Sequence, residues 1–416
     1  MKEKVKGNGR NPNPRDLVIL FIFALAVRLS VFPYWKDLNL YGDEFFYWSW
    51  AQNIADGNFL RNFLRPPLWT YILSIPALMS DNYVYGRALT AVLSSFSVPL
   101  IYSIGKYVFN RKTGIIAGVT YSVYPNIIGY SHYLWSETLL ALFMLFSTFL
   151  FLKAAGSEKK HVLVYLAFAV SSIGLLTKEF AIIQFGALIL ALIAMELVDK
   201  KKMIFTGIAI FFTPVLIYSA IASFYAQRPV ILADAFVYNS NEADSGKIVW
   251  KKSTKENLGI FVRRLFKFRE IPSRFVKQVY NLWTPNSFPV FRLLNADQKY
   301  KNMPNARLIA YVASAMYILV IVSGLIGMCC AEKNLFLTFS VANLLLLSSA
   351  GLFFLMCSRF RIPFMYIFIL YSSALLADPE AALKRMTWQR GLLIGVIGTV
   401  FISIIINKAS SFGYWG

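Results

Sequence analysis

Histidine is almost missing from this 416-residue chain, which contains only His132 and His161. A metal centre built on several imidazoles is thereby excluded. Cysteine is nearly as scarce. Cys329 and Cys330 are adjacent and Cys357 closes a different apolar stretch, so neither a disulfide framework nor a metal-ligand spacing is present. Charge is thin, 15% of residues, where soluble domains carry about a quarter. Acids are the scarcer sign, with 21 Asp and Glu against 42 Lys and Arg and a net charge of +21. In a soluble protein that surplus would suggest nucleic acid. Here there is hardly any soluble surface to carry it, so membrane lipids and phosphate-bearing substrates are the expected partners and nucleic acid is not. The basic stretch MKEKVKGNGRNPNPR has no small-residue cleavage site after the first apolar run and reads as a cytoplasmic tail.

What the chain has in quantity is apolar sequence, 57% of residues, with 16% aromatic. Runs long enough to cross a bilayer predict an all-α polytopic membrane protein. About eleven spans are expected, at 17–34, 85–109, 113–130, 137–153, 162–177, 179–198, 204–224, 307–328, 334–356, 362–377 and 391–407. Segment 68–79 is too short to span and is expected to be re-entrant or interfacial. Basic short loops (Arg111 and Lys112; Lys153, Lys159 and Lys160; Lys200 to Lys202; Lys333; Lys384, Arg385 and Arg390) fall on the side of the N-terminus. By the positive-inside rule that side is cytoplasmic. The chain divides into a transmembrane module 1–224, a basic extracytoplasmic loop 225–306 and C-terminal helices 307–416.

Two segments lie outside the spans. In the first, 35–84, Asp43 and Glu44 are placed to open a helix that runs to Ala55 and stops at Gly57. Phe45, Phe46, Tyr47, Trp48 and Trp50 would lay that helix along the lipid interface. The second, 225–306, interleaves Lys247, Lys251, Lys252, Lys255, Arg263, Arg264, Lys267, Arg269, Arg274 and Lys277 with aromatics. Residues 258–283 read as one or two amphipathic interfacial helices interrupted near Pro272.

An enzyme facing away from the cytoplasm has no nucleotide sugars or ATP to draw on, and a sugar carried on a lipid phosphate is a natural activated donor there. Transfer of that sugar displaces phosphate, a leaving group that needs its charge neutralised and no general acid. The minimal site is one carboxylate to take the acceptor proton, plus Arg or Lys on the phosphate. The predicted outer face supplies these: Asp43 and Glu44, Arg65 before Pro66-Pro67, Arg87, Glu137, Lys178 with Glu179, and Arg359 and Arg361. Capping and snorkelling account for any one of them, but less well for the set. Arg28, inside the first span, is expected to pair with an acid such as Glu137, and His132 to lie at the interface near the acceptor. The chemistry requires no cofactor, although Asp43 with Glu137 could hold a divalent ion.

In order along the chain these residues (Gly42-Asp43-Glu44, Arg65-Pro66-Pro67, Arg87, Ser136-Glu137-Thr138, Leu176-Thr177-Lys178, Arg359 to Pro363) resemble the GT-C superfamily of polyprenyl-phosphate-sugar-dependent glycosyltransferases. That group includes protein O-mannosyltransferases and aminoarabinose transferases. The resemblance implies an inverting transferase with Asp43 as catalytic base and Glu44 or Glu137 supporting it or shaping the acceptor site. It also implies that Arg65, Lys178, Arg359 and Arg361 contact the donor phosphate. The acceptor, a hydroxyl of a protein, lipid or glycan, stays open. Two alternatives stand beside this reading. One is an O-antigen ligase or polymerase using a pyrophosphate-linked donor, whose outer loop would be rich in Arg and His. The other is a lipid-linked sugar flippase, with charges or broken helices at mid-membrane and internal repetition.

Overall fold

A computed structural model describes residues 12–59, 65–194, 200–227, 229–230, 232, 271–285, 287–289, 305–352, 354 and 356–409. Among the described residues the regular structure is entirely helical. The first half comprises α1 (Pro14–Trp35), α2 (Asp43–Ala55), α3 (Leu68–Met79), α4 (Val84–Val108), α5 (Arg111–Val123), α6 (Pro125–Tyr130), α7 (Glu137–Ala154), α8 (Lys160–Leu175), α9 (Ala181–Ala194) and α10 (Lys200–Ala226). The second half comprises α11 (Ile271–Trp283), α12 (Ala306–Cys330), α13 (Leu335–Ser349), a 3₁₀ segment Ser358–Phe364, α14 (Met365–Ala377), α15 (Pro379–Lys384) and α16 (Trp388–Ala409).

Seven of these helical stretches are long and apolar enough to cross a membrane: those over residues 14–35, 84–108, 137–154, 200–226, 307–330, 335–352 and 358–377. Shorter apolar helices lie at 68–79, 160–175, 181–194 and 388–404. The chain is a multi-pass membrane protein. A helix occupies every predicted span, but the 113–130 run is broken between α5 and α6, where Pro125 starts a new helix.

One end of the bundle is built from asparagine caps and basic residues. Asn13, Asn110 and Asn334 each accept a backbone N–H of the helix they open, at 3.1, 2.8 and 2.9 Å. There Arg111 pairs with Asp16 at 2.7 Å, Arg385 with Glu332 at 2.7 Å, and Lys112 donates to the Ala377 carbonyl at 2.8 Å. Close helix contacts rely on glycine. A Cβ on Gly324 would meet the Phe368 carbonyl at 2.8 Å, so α12 lies directly on the backbone of α14.

At the opposite end, α2 and α3 pack on each other and on the start of α4. The expectation of an aromatic face on lipid holds only in part. Phe45 points outward, whereas Tyr47 and Trp48 are buried and Trp48 donates its indole N–H to the Asp81 carbonyl at 3.1 Å. An indole or phenol with an apolar body and a polar tip is stabilised more by such a contact than by lipid alone. Of the basic loop, Ile271–Trp283 is a helix with Pro272 in its first turn. Residues 233–270, with Lys247 to Arg269, lie outside the described residues.

Arg28 does not pair with Glu137. It is fully buried in α1, donating from Nε to Ser94 Oγ at 2.9 Å and from Nη1 to the Ala24 carbonyl at 3.0 Å. The helix register carries its guanidinium against α4, where the Ser94 hydroxyl, together with the Ala24 carbonyl of α1 itself, takes the place of a carboxylate.

Candidate active site

Asp43 is the first residue of α2. Gly42 before it adopts φ +56°, ψ −125°, a backbone region that is essentially glycine's own, and this turn swings the Asp43 carboxylate to the helix mouth. Two guanidinium groups meet it there. Arg65 Nη2 donates to Oδ1 at 2.9 Å and Arg359 Nη2 donates to Oδ2 at 2.6 Å. Arg65 comes from the segment whose Pro66 and Pro67 restrict the backbone. The Leu68 N–H holds that segment against the α8–α9 turn by donating to the Leu176 carbonyl at 2.9 Å. The same turn supplies Lys178, whose ammonium pairs with Glu137 Oε1 at 2.7 Å. Arg359 Nε stands 3.1 Å from that same oxygen. Arg359 therefore joins Asp43 to Glu137, and five side chains from five separate stretches of chain form one charged network.

The network has an open and a closed side. Side-chain exposure is 14% for Asp43, 14% for Arg65 and 18% for Arg359, but 4% for Lys178 and 1% for Glu137. A ligand thus reaches Asp43 and the two arginines first. Trp135 and Phe360 lie under the Arg359 guanidinium at 5.0 and 5.3 Å, an arrangement that attracts the cation and limits its directions of movement. Tyr47, bonded to Ser136 at 3.1 Å, adds a phenol to the same wall.

Glu44, next in sequence, belongs to a different pair. It is fully buried and accepts from Arg87 Nη2 at 3.2 Å, from the Leu134 N–H at 3.0 Å and from the Tyr41 N–H at 3.0 Å. Arg87 also donates to the carbonyls of Trp35 and Leu38 at 2.8 and 2.6 Å. The pair ties the end of α1, the start of α2, α4 and the loop before α7 together. Arg361 is also outside the network. It donates to the carbonyls of Leu282 and Thr284, both at 2.5 Å, and lies over the Tyr317 ring at 4.0 Å. His132 is buried with Nε2 at 3.0 Å from the Arg28 carbonyl and Nδ1 at 2.7 Å from the Ile128 carbonyl. Glu179, by contrast, is buried next to Lys178 in the α8–α9 turn and bears electrostatically on Arg65, in a position sequence spacing did not mark as distinct.

Electrostatics separates the two adjacent acids. Burial pushes the Asp43 carboxyl up, but Arg359, Arg65 and Lys178 outweigh it and hold the group below the usual carboxylate range. Burial dominates at Glu44 and leaves its carboxyl raised in spite of Arg87. At Arg65 burial opposes the charged form, and Asp43 overrides it, so the guanidinium stays protonated.

Asp43 and Glu137 are held apart by a cation in this arrangement. Arg359 stands between them, and among the described residues no group of three or more His, Cys, Asp or Glu side chains is placed to share an ion.

Compared with known proteins, the helical arrangement is similar to the archaeal oligosaccharyltransferase AglB from Archaeoglobus fulgidus in complex with an inhibitory peptide and a dolichol-phosphate. Identity is 14% and the TM-score 0.51, over 97% of this chain and 56% of that one. A second structure of that oligosaccharyltransferase, in complex with Zn and sulfate, matches at 13% identity and TM-score 0.51, over 94% of this chain and 52% of that one. ArnT from Cupriavidus metallidurans bound to undecaprenyl phosphate shares 13% identity at TM-score 0.47, over 90% of this chain and 79% of that one. No curated protein matches significantly. The chain spans little more than half the length of the archaeal oligosaccharyltransferase. What the chain shares with these structures is the fold, a helical membrane bundle arranged as in that oligosaccharyltransferase. Residues 64–218 match the family described as dolichyl-phosphate-mannose-protein mannosyltransferase, a stretch that includes Arg65, Arg87, Glu137 and Lys178.

Proposed function

We propose that this protein is an integral-membrane glycosyltransferase that moves a sugar from a polyprenyl-phosphate donor to a hydroxyl acceptor at the extracytoplasmic face. One observation carries the reading: the Asp43 carboxylate is gripped by Arg65 and Arg359 at the open side of a network that continues to Glu137 and Lys178. The positive-inside pattern of the short loops and the basic, asparagine-capped end of the bundle support the orientation.

A carboxylate bound by two guanidiniums is a weak base, and a donor phosphate changes that. It is an anion with several acceptor oxygens, and it competes with Asp43 for the same N–H donors. As Arg65 and Arg359 turn to the phosphate, with Lys178 behind them, Asp43 regains basicity when the donor is in place. The acceptor oxygen then attacks the anomeric carbon from the side opposite the phosphate. Its proton passes to Asp43, the carbon–oxygen bond to phosphate breaks, and the electron pair leaves on the phosphate oxygen that the cations neutralise. A single displacement of this kind inverts the anomeric centre. Glu137 keeps Arg359 and Lys178 aimed at the site, and the Glu44–Arg87 pair fixes the start of α2. Acceptors of three kinds, a protein hydroxyl, a lipid or a glycan, fit this chemistry.

The test is transfer in proteoliposomes supplied with polyprenyl-phosphate-linked hexoses and a membrane extract as acceptor source. Asp43→Asn and Asp43→Ala should abolish incorporation while expression and helix content stay at the parental level. Near-normal turnover in either variant would remove Asp43 from the chemistry.

A further inference from the structure

Glu179 is only 5% exposed, and its Oε1 is buried without a hydrogen-bond partner. Among the described residues it forms no ion pair, and its charge favours the protonated Arg65 guanidinium. A buried carboxylate oxygen with nothing to accept from is costly, and proteins rarely leave one so. Its place is held by backbone: the Leu68 N–H bonds to the Leu176 carbonyl, pressing the turn that bears Lys178 and Glu179 against the segment that bears Arg65. The missing donor is therefore to be sought in the substrate.

Three parts of the substrate could supply it. The phosphate cannot, because it has no N–H or O–H to give at neutral pH and its charge repels a carboxylate. The reacting acceptor hydroxyl is committed to Asp43. The donor's sugar is bonded directly to the phosphate that Arg65 would hold, and its hydroxyl groups lie within a few bonds of that guanidinium. We infer that Glu179 reads the glycosyl unit of the donor, its unpartnered carboxylate accepting hydrogen bonds from the sugar hydroxyls next to the phosphate. The inference rests on the glycosyltransferase reading of the site and adds to it a residue that recognises the sugar apart from the phosphate.

The experiment compares binding of two lipids to purified protein in nanodiscs: bare polyprenyl phosphate, and polyprenyl phosphate bearing mannose, glucose or galactose. The parent should bind at least one glycosylated lipid more tightly than the bare one. Glu179→Ala should erase that preference, lowering affinity for the glycosylated lipid on the order of 10-fold or more. Affinity for bare polyprenyl phosphate should stay unchanged, and that retained binding also serves as the control for folding. Glu179→Gln, which keeps one carbonyl acceptor, should fall between the two. Equal loss for both lipids in Glu179→Ala, or a parent that binds every glycosylated lipid no better than the bare one, would overturn the inference while leaving the phosphate site intact. A parent that binds none of the lipids would instead count against the proposed function itself.

Discussion

Arg359 reaches back across 316 positions of sequence to place its Nη2 at 2.6 Å from Asp43 Oδ2. The contact closes the site, because the aspartate lies just beyond the first helix and the arginine opens the last long buried helix. Neither residue alone suggests catalysis. Together, with Glu137 3.1 Å from Nε of the same guanidinium, they make a carboxylate whose basicity depends on where two arginines point.

Arg65 has the simplest task in this arrangement, so its removal should have a selective effect. Arg65→Ala is expected to weaken binding of the lipid-phosphate donor by roughly 10-fold to 100-fold, the worth of a hydrogen bond between charged groups. Acceptor affinity should change little. Separate titrations of donor and acceptor check this, and equal losses for the two would speak against the assignment.

The Glu44–Arg87 pair should behave as structure and not as chemistry. Both side chains are essentially unexposed, and truncating one strands the other without solvent. Arg87→Ala should destabilise the fold by about 3–5 kcal/mol, seen as a lowered unfolding midpoint in detergent. A stable Arg87→Ala protein with lost activity would instead place Arg87 in the site.

His132 predicts a pH dependence of stability. Burial, the foremost cause, together with the nearby charges of Arg28 and Arg87, outweighs its bonds to the Ile128 and Arg28 carbonyls and lowers its pKa from 6.5 to about 4. Between those values the unfolded chain binds more protons than the folded one, so stability rises with pH and falls on acidification through that window. Thermal midpoints measured from neutral pH down to about pH 4 should drop in the parent, and less steeply in His132→Gln. Parallel curves would show that another group is responsible.

Gly42 tests the geometry without touching a charge. Nothing lies within 4 Å of a Cβ added there, so the cost of Gly42→Ala comes from its φ of +56° and not from crowding. The strain is about 1–3 kcal/mol, and the cheapest relief is rotation of the turn that aims Asp43. Turnover should fall while bare polyprenyl phosphate still binds. Unchanged turnover would mean that Asp43 does not need this turn.

Much of this molecule is legible one residue at a time. Hydropathy alone marked where helices lie, because in a bilayer every backbone N–H and C=O must be satisfied within its own segment. The bounds of α2 lie where Asp43, Glu44 and Gly57 suggested, but Gly42 and Asp56 are the caps and neither acid makes the expected side-chain cap bond. That Asp43, Arg65, Glu137, Lys178 and Arg359 share one end of the bundle followed from counting spans.

What the sequence could not decide is which charge meets which. Glu44 and Asp43 are neighbours in the chain, yet successive residues of a helix point about 100° apart, and one carboxylate went into a closed lock while the other went to the mouth. Arg361 and Arg359 parted in the same way, one to the carbonyls of Leu282 and Thr284 and one to Asp43. Arg28 found a hydroxyl where an acid was expected. Spans and capping are properties of a single segment, and so the amino-acid order determined them. Ion pairing depends on distances of a few ångströms between segments hundreds of residues apart, and only the packing of the helices sets those.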